Sequence, residues 1–181
     1  LAHFADPRGG FFDTSDDHET LVTRPKDVQD NAVPSGNAMA VTVLRKLSAF
    51  TGDNRYADAA ERALRNMQSV LTQAPLGFAQ WLAALDFALG HPKEIAIVGT
   101  PENARDLLNV VWDKYRPNQV VALAPPGADS PIPLLENRAP LSGKATAYVC
   151  QNFSCKLPVT EPDALAGQLA STNLERRSVT E

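Results

Sequence analysis

Seven polar residues run consecutively near the start of the chain: Asp13, Thr14, Ser15, Asp16, Asp17, His18 and Glu19. Acid–base chemistry needs carboxylates whose pKa values are pushed apart by their surroundings. Asp16, Asp17, His18 and Glu19 supply the residue types and form the candidate catalytic set. The same composition also fits a solvated acidic turn closed by Asx hydrogen bonds. The spacing does not show that any two of these groups meet across a substrate. No further group of His or Cys stands at metal-ligand spacing, so neither a metal nor another cofactor is expected.

A second polar stretch, Asp30-Asn31-Ala32-Val33-Pro34-Ser35-Gly36-Asn37, leads directly onto a predicted helix start. A helix N-terminus presents free N–H groups and partial positive charge, which suit an anion or a sugar hydroxyl. Asp30, Asn31, Ser35 and Asn37 are therefore candidate ligand-binding residues, with Trp81 as a ring on which a sugar can stack. Plain capping accounts equally for Ser35, and core packing for Trp81. The two cysteines, Cys150 and Cys155, are separated by four residues and do not form the C-x-x-C redox motif. They read either as a redox pair brought together at a strand end or as two small buried apolar side chains. Gly99-Thr100-Pro101 follows a strand, but a lone Gly without G-x-G-x-x-G reads as an ordinary strand-to-helix turn.

The elements that position these groups follow from hydrophobic periodicity. Residues 1–35 show no sustained period and predict a long loop, ordered by Phe4, Phe11 and Phe12. Three helices come next. Ser35 caps the first, with Ala40, Leu44, Leu47 and Phe50 on one face and Thr51-Gly52 as its stop. Asp53 caps the second, striped by Tyr56, Ala60, Ala63, Met67 and Val70 or Leu71. The third starts near Pro75, presents Phe78, Trp81, Leu82, Leu85 and Leu89, and stops at Gly90-His91-Pro92. Short turns between such helices predict antiparallel hairpins. From Lys93 the texture changes to strand, helix, strand: Glu94 to Gly99, a helix after Thr100-Pro101, then Val120 to Leu123. Residues 125–144 read as loop, Ala145 to Cys150 as a third strand, and Thr160-Glu161-Pro162-Asp163 as the start of a last helix.

The chain has 181 residues, 44% hydrophobic and 21% charged, with a net charge of −4. That is globular composition without a basic run, which argues against nucleic acid and anionic membrane as partners. The apolar runs are too short for a transmembrane helix. A start at Leu1-Ala2-His3-Phe4, without Met or signal-peptide pattern, reads as the middle of something larger. A cytoplasmic location is the default by elimination.

Six ordered blocks carry a family resemblance: Gly9-Gly10-Phe11-Phe12-Asp13-Thr14, Arg24-Pro25-Lys26-Asp27, the stretch from Asp30 to Ala38, Gln80-Trp81-Leu82, Lys93-Glu94-Ile95-Ala96-Ile97-Val98-Gly99 and Ala147-Tyr148-Val149-Cys150. Together they resemble the C-terminal part of thioredoxin-domain-containing proteins of the spermatogenesis-associated family. The resemblance implies a thioredoxin-like domain followed by an (α/α)6 toroid similar to N-acylglucosamine epimerases and six-hairpin glycosidases. Only the end of that toroid and an appended α/β unit are matched here, so the redox role of the thioredoxin-like domain is not carried over. In that setting the loops at 13–19 and 30–37 would lie at the toroid mouth, where such folds bind sugars.

The expected organisation is thus α plus α/β. Residues 1–92 form the end of an (α/α)6 toroid, 93–170 a small three-stranded, mostly parallel α/β unit, and 171–181 a frayed tail. The expected function is carbohydrate binding or processing through the toroid, with any isomerase- or glycosidase-like activity belonging to the full-length protein. The alternative is a redox-linked or non-catalytic interaction domain working with the thioredoxin-like domain. Expected partners are the remainder of the chain and a sugar ligand.

Overall fold

The computed structural model of the chain describes residues 1–17, 19, 22–151 and 154–170. His18 and the tail 171–181 lie outside the described residues. The chain divides into two compact units, Leu1–Pro92 and the segment from Lys93 onward. Among the described residues, no helix is long and apolar enough to cross a membrane.

The first unit holds α1 (Gly36–Thr51), α2 (Asn54–Gln73) and α3 (Ala79–Leu89). Ser35 Oγ accepts the Ala38 N–H, and Asp53 accepts the Arg55 N–H, as the capping residues predict. Gly52 ends α1 at φ 68°, a left-handed conformation that a residue with a Cβ adopts only at a cost. The third helix departs from expectation at its start. Pro75–Gly77 forms a separate 3-10 turn and α3 begins at Ala79, because the backbone at Phe78 breaks the helical path.

The buried faces are richer in alanine than the expected stripes. On α1 they are Ala38, Val41 and Leu44, whereas Ala40 and Leu47 are only partly buried. On α2, Ala59, Ala60, Ala63, Leu64, Met67 and Leu71 are buried and Val70 is exposed. On α3, Trp81, Ala84 and Phe87 are buried while Leu82 and Leu89 are exposed. Helix α1 packs on both α2 and α3, and small side chains on its contact face permit close approach.

The second unit holds β1 (Lys93–Val98), α4 (Arg105–Trp112), β2 (Gln119–Ala124), β3 (Thr146–Gln151), β4 (Ser154–Cys155) and α5 (Pro162–Ala170). The sheet has four strands in the order β2-β1-β3-β4, not three. It is mixed rather than mostly parallel: β1 and β2 run parallel, whereas β1–β3 and β3–β4 are antiparallel. The reason lies in the connections. A parallel return needs a crossover such as α4. Beyond β2 the loop instead re-enters beside the C-terminal end of β1, where Thr146 pairs with Val98.

One face of this sheet, with Ile95, Ile97, Ala147 and Val149, packs against Leu107 and Val111 of α4 and Leu165 and Leu169 of α5. Strand alternation sends Glu94, Ala96, Tyr148 and Cys150 to the opposite face. The short 3-10 turn Pro133–Leu135 contacts β1 and β2, and Leu134 and Leu135 are buried.

Candidate functional site

The polar loop of the first unit is built by hydrogen bonds from the chain to itself. Asn37, 1% exposed, is its central fastener. Its Oδ1 accepts the Phe11 N–H at 2.7 Å, and its Nδ2 donates to the carbonyls of Phe11 at 2.8 Å and Asp27 at 3.0 Å. Asp30 ties two helix starts together, accepting the Ser35 N–H and the Gln80 N–H, each at 2.8 Å. Trp81 is 1% exposed and donates its indole N–H to the Val28 carbonyl at 2.8 Å. Ser35 caps α1. Asn31 is exposed and donates its backbone N–H to the Val33 carbonyl. Of the five candidate ligand residues, Asp30, Ser35, Asn37 and Trp81 have polar groups engaged in holding the loop and helices.

The acidic stretch is brought together around a residue that its spacing does not reveal, His3. Its Nδ1 lies 2.8 Å from Asp16 Oδ1 and 3.8 Å from Asp17 Oδ2. The hydrogen bond to Asp16, aided by the charges of Asp17 and Asp16, raises the imidazole pKa. The Ser15 hydroxyl donates to Asp17 and, with His3 nearby, lowers that carboxyl. Ligand-type atoms of His3, Asp16 and Asp17 lie within 4.8 Å of one another, but all three side chains are exposed and contact each other. Glu19 is exposed. Arg24 stacks on Phe12, 4.1 Å from its centroid, and donates to the carbonyls of His3 and Thr14. A cleft of about 420 Å³ beside this loop is lined by Phe4, Phe12, Asp13, Gly36 and Val43 among others.

The Gly9-Gly10 pair has a packing reason. Gly10 stands at φ 80°, and a Cβ there would sit 2.9 Å from both Asn37 Oδ1 and Lys26 Cε. Beneath it, Asp6 receives the Arg8 N–H at 2.9 Å and lies 3.2 Å from Lys26 Nζ. The Arg8 backbone and side chain, together with Lys26, hold the Asp6 carboxyl at a pKa of about 2.

The second unit contains a different constellation. Cys150 and Cys155 face each other directly across β3 and β4 and form a disulfide. This corrects the alternative of two buried apolar thiols: Cys150 is buried at 2% exposure, but Cys155 is exposed and bonded to it. The partner that sequence spacing does not reveal is Arg138, twelve residues upstream of Cys150 on the covering loop. Its Nη2 lies 3.4 Å from each sulfur, and its guanidinium stacks over Tyr148 at 4.8 Å. The Tyr148 hydroxyl in turn donates to the Ala139 carbonyl at 2.6 Å, which fixes the segment carrying Arg138. A guanidinium placed here favours thiolate over thiol once the bond is reduced.

Over 167 residues the chain is 30% identical to "Spermatogenesis-associated protein 20" of Mus musculus and 31% identical to the protein of that name of Homo sapiens. Each match covers 88% of this chain and 21% of the relative, so the chain spans about a fifth of the length of these homologues. The protein of that name from Rattus norvegicus is 30% identical over 161 residues. No family model matches the chain.

Proposed function

We propose that this chain, homologous to proteins named spermatogenesis-associated protein 20, serves a redox-linked function through a reversible Cys150–Cys155 disulfide on its α/β unit. The observation that carries this reading is the Arg138 guanidinium 3.4 Å from both sulfurs. A structural staple has no need of a cation that stabilises its broken form. The bond spans only 5 positions of sequence. Closing so short a loop contributes about 2 kcal/mol by chain-entropy arithmetic. Exposure of Cys155 admits an exchanging thiol. In a cytoplasmic setting such a pair acts in exchange rather than as a scaffold. A thioredoxin-like region elsewhere in the longer protein is the proposed exchange partner.

Equilibration of the full chain in thiol–disulfide buffers, read by alkylation and mass, tests this. The expected midpoint is more oxidising than about −300 mV. A more reducing midpoint, or two alkylatable thiols after exposure to oxidised glutathione, overturns the reading.

A second reading, a carbohydrate site at the mouth of a helical toroid, is favoured by one observation: Phe12 and Asp13 line the same cleft at the start of α1. A thermal shift of the full chain with a sugar from a panel, lost in Asp13→Asn, would support it. No shift with any sugar, or a shift unchanged in Asp13→Asn, would remove it.

A further inference from the structure

Strand register sets a row of residues across the sheet: Val120 on β2, Glu94 on β1, Cys150 on β3 and Cys155 on β4. Directly opposed residues project from the same face with Cβ atoms roughly 5 Å apart. Glu94 therefore stands beside Cys150 on the face that carries the disulfide, and Arg138 stands by the two sulfurs. The row is asymmetric: Cys155 is exposed, Cys150 is buried, and Glu94 is half-buried.

Resting on the redox reading above, we propose that Glu94 is the base that takes the Cys150 proton when the reduced pair closes its disulfide, and that the substrate is a disulfide attacked first by Cys155. The Cys155 thiolate attacks one sulfur of the partner disulfide. The partner S–S bond breaks and its second sulfur leaves as a thiolate, which takes up a proton from solvent. Cys155 then holds a mixed disulfide. The Cys150 thiol gives its proton to the Glu94 carboxylate, and Cys150 attacks Cys155 Sγ. The bond from Cys155 to the partner breaks and the electron pair leaves on the partner sulfur, which takes up a proton. The partner disulfide is reduced to two thiols and Cys150–Cys155 is oxidised.

The division of labour follows from burial. Both sulfurs stand 3.4 Å from the guanidinium nitrogen, and the thiol of exposed Cys155, solvated as well, ionises readily. A buried thiol resists ionisation and gains most from an adjacent base. Glu94 suits that task because burial raises its carboxyl pKa above the ordinary value, making it a stronger base. Register sets apolar Val120 of β2 and Cys150 of β3 directly beside it, with Tyr148 two residues along β3, while Cys155 lies one strand further and Arg138 stands over Tyr148. Lys93, its neighbour in sequence, reaches the carbonyl of Leu169 on α5, and Lys156 reaches that of Gln168.

The test uses the reduced full chain, which contains two cysteines, with oxidised glutathione as the partner disulfide at neutral pH. Quenched-flow mass analysis separates formation of the mixed disulfide from its closure. In Glu94→Gln, formation should keep the wild-type rate while closure slows at least tenfold, so that glutathionylated Cys155 accumulates. Glu94→Asp should restore part of the closure rate. In the wild type, closure should slow as pH falls through the Glu94 range, and this component should be absent in Glu94→Gln. Closure at the wild-type rate in Glu94→Gln, with an unchanged thermal transition, overturns the role of Glu94 alone. A wild-type chain that never closes the disulfide instead overturns the redox reading on which it rests.

Discussion

Asp6 is held by the Arg8 backbone, the Arg8 side chain and Lys26, and its side chain is only 2% exposed. Its folded pKa of about 2 lies below the ordinary value of 3.8. A depressed carboxyl adds stability that is fully present above the unfolded value and is lost as pH falls toward the folded one. The thermal midpoint of the full chain should therefore drop between about pH 4 and pH 2, and the drop should shrink in Asp6→Asn. Identical acid profiles for the two proteins would refute this. His3 shifts the opposite way, raised by Asp16 and Asp17, so any stability it adds is lost as pH rises through its folded value. Arg138 belongs to the same scale: one guanidinium nitrogen lies 3.4 Å from each sulfur of the cross-strand bridge, and the proposed exchange chemistry rests on that contact.

Between elements, the long loop is held to the helices by a few polar side chains. Asn37 sits one residue into α1 yet bonds to Phe11 and Asp27, while Asp30 joins the starts of α1 and α3. Replacing Asn37 by Ala leaves the buried Phe11 N–H without its acceptor and two carbonyls without their donor. The expected cost is about 2–4 kcal/mol, read as a fall in the urea midpoint with little change in slope. A change below half a kcal/mol, of the size typical for surface substitutions, would show that water replaces these bonds. The same logic holds in the second unit, where Tyr148 anchors the loop at Ala139 and so sets where Arg138 reaches. Elements with strong local signals follow their signals, as at Ser35, Gly52 and Asp53. Ser154–Cys155 is a strand of two residues defined by its partner β3 and has no local signal of its own.

At the scale of the molecule, two units carry separate cores, one of helices around Trp81 and one of a mixed sheet with α4 and α5. The change of hydrophobic period at Lys93 marks that division, because helical and strand periodicities are local properties of the chain. The caps at Ser35 and Asp53, the stop at Gly52, the β1–α4–β2 passage and the kinship through ordered motif blocks were legible for the same reason, whereas α3 and α4 begin at Ala79 and Arg105, past the starts expected near Pro75 and Thr100 and without side-chain caps. Other features depend on residues far apart in sequence. The direction of β3 is set by where the 21-residue connection 125–145 re-enters the sheet. The disulfide, left open by the spacing of Cys150 and Cys155, is decided by the β3–β4 register. Glu94 and Arg138 come to that bridge from 56 residues before Cys150, through β1–β3 pairing, and from 12 residues before it, through the covering loop. His3 reaches Asp16 by the folding of the loop on itself. The sequence by itself determined the longer helices and strands and the change of texture at Lys93, since those follow from neighbours along the chain. Only the tertiary structure decided which side chains share a site, because strand register and loop closure bring together groups that no local pattern connects.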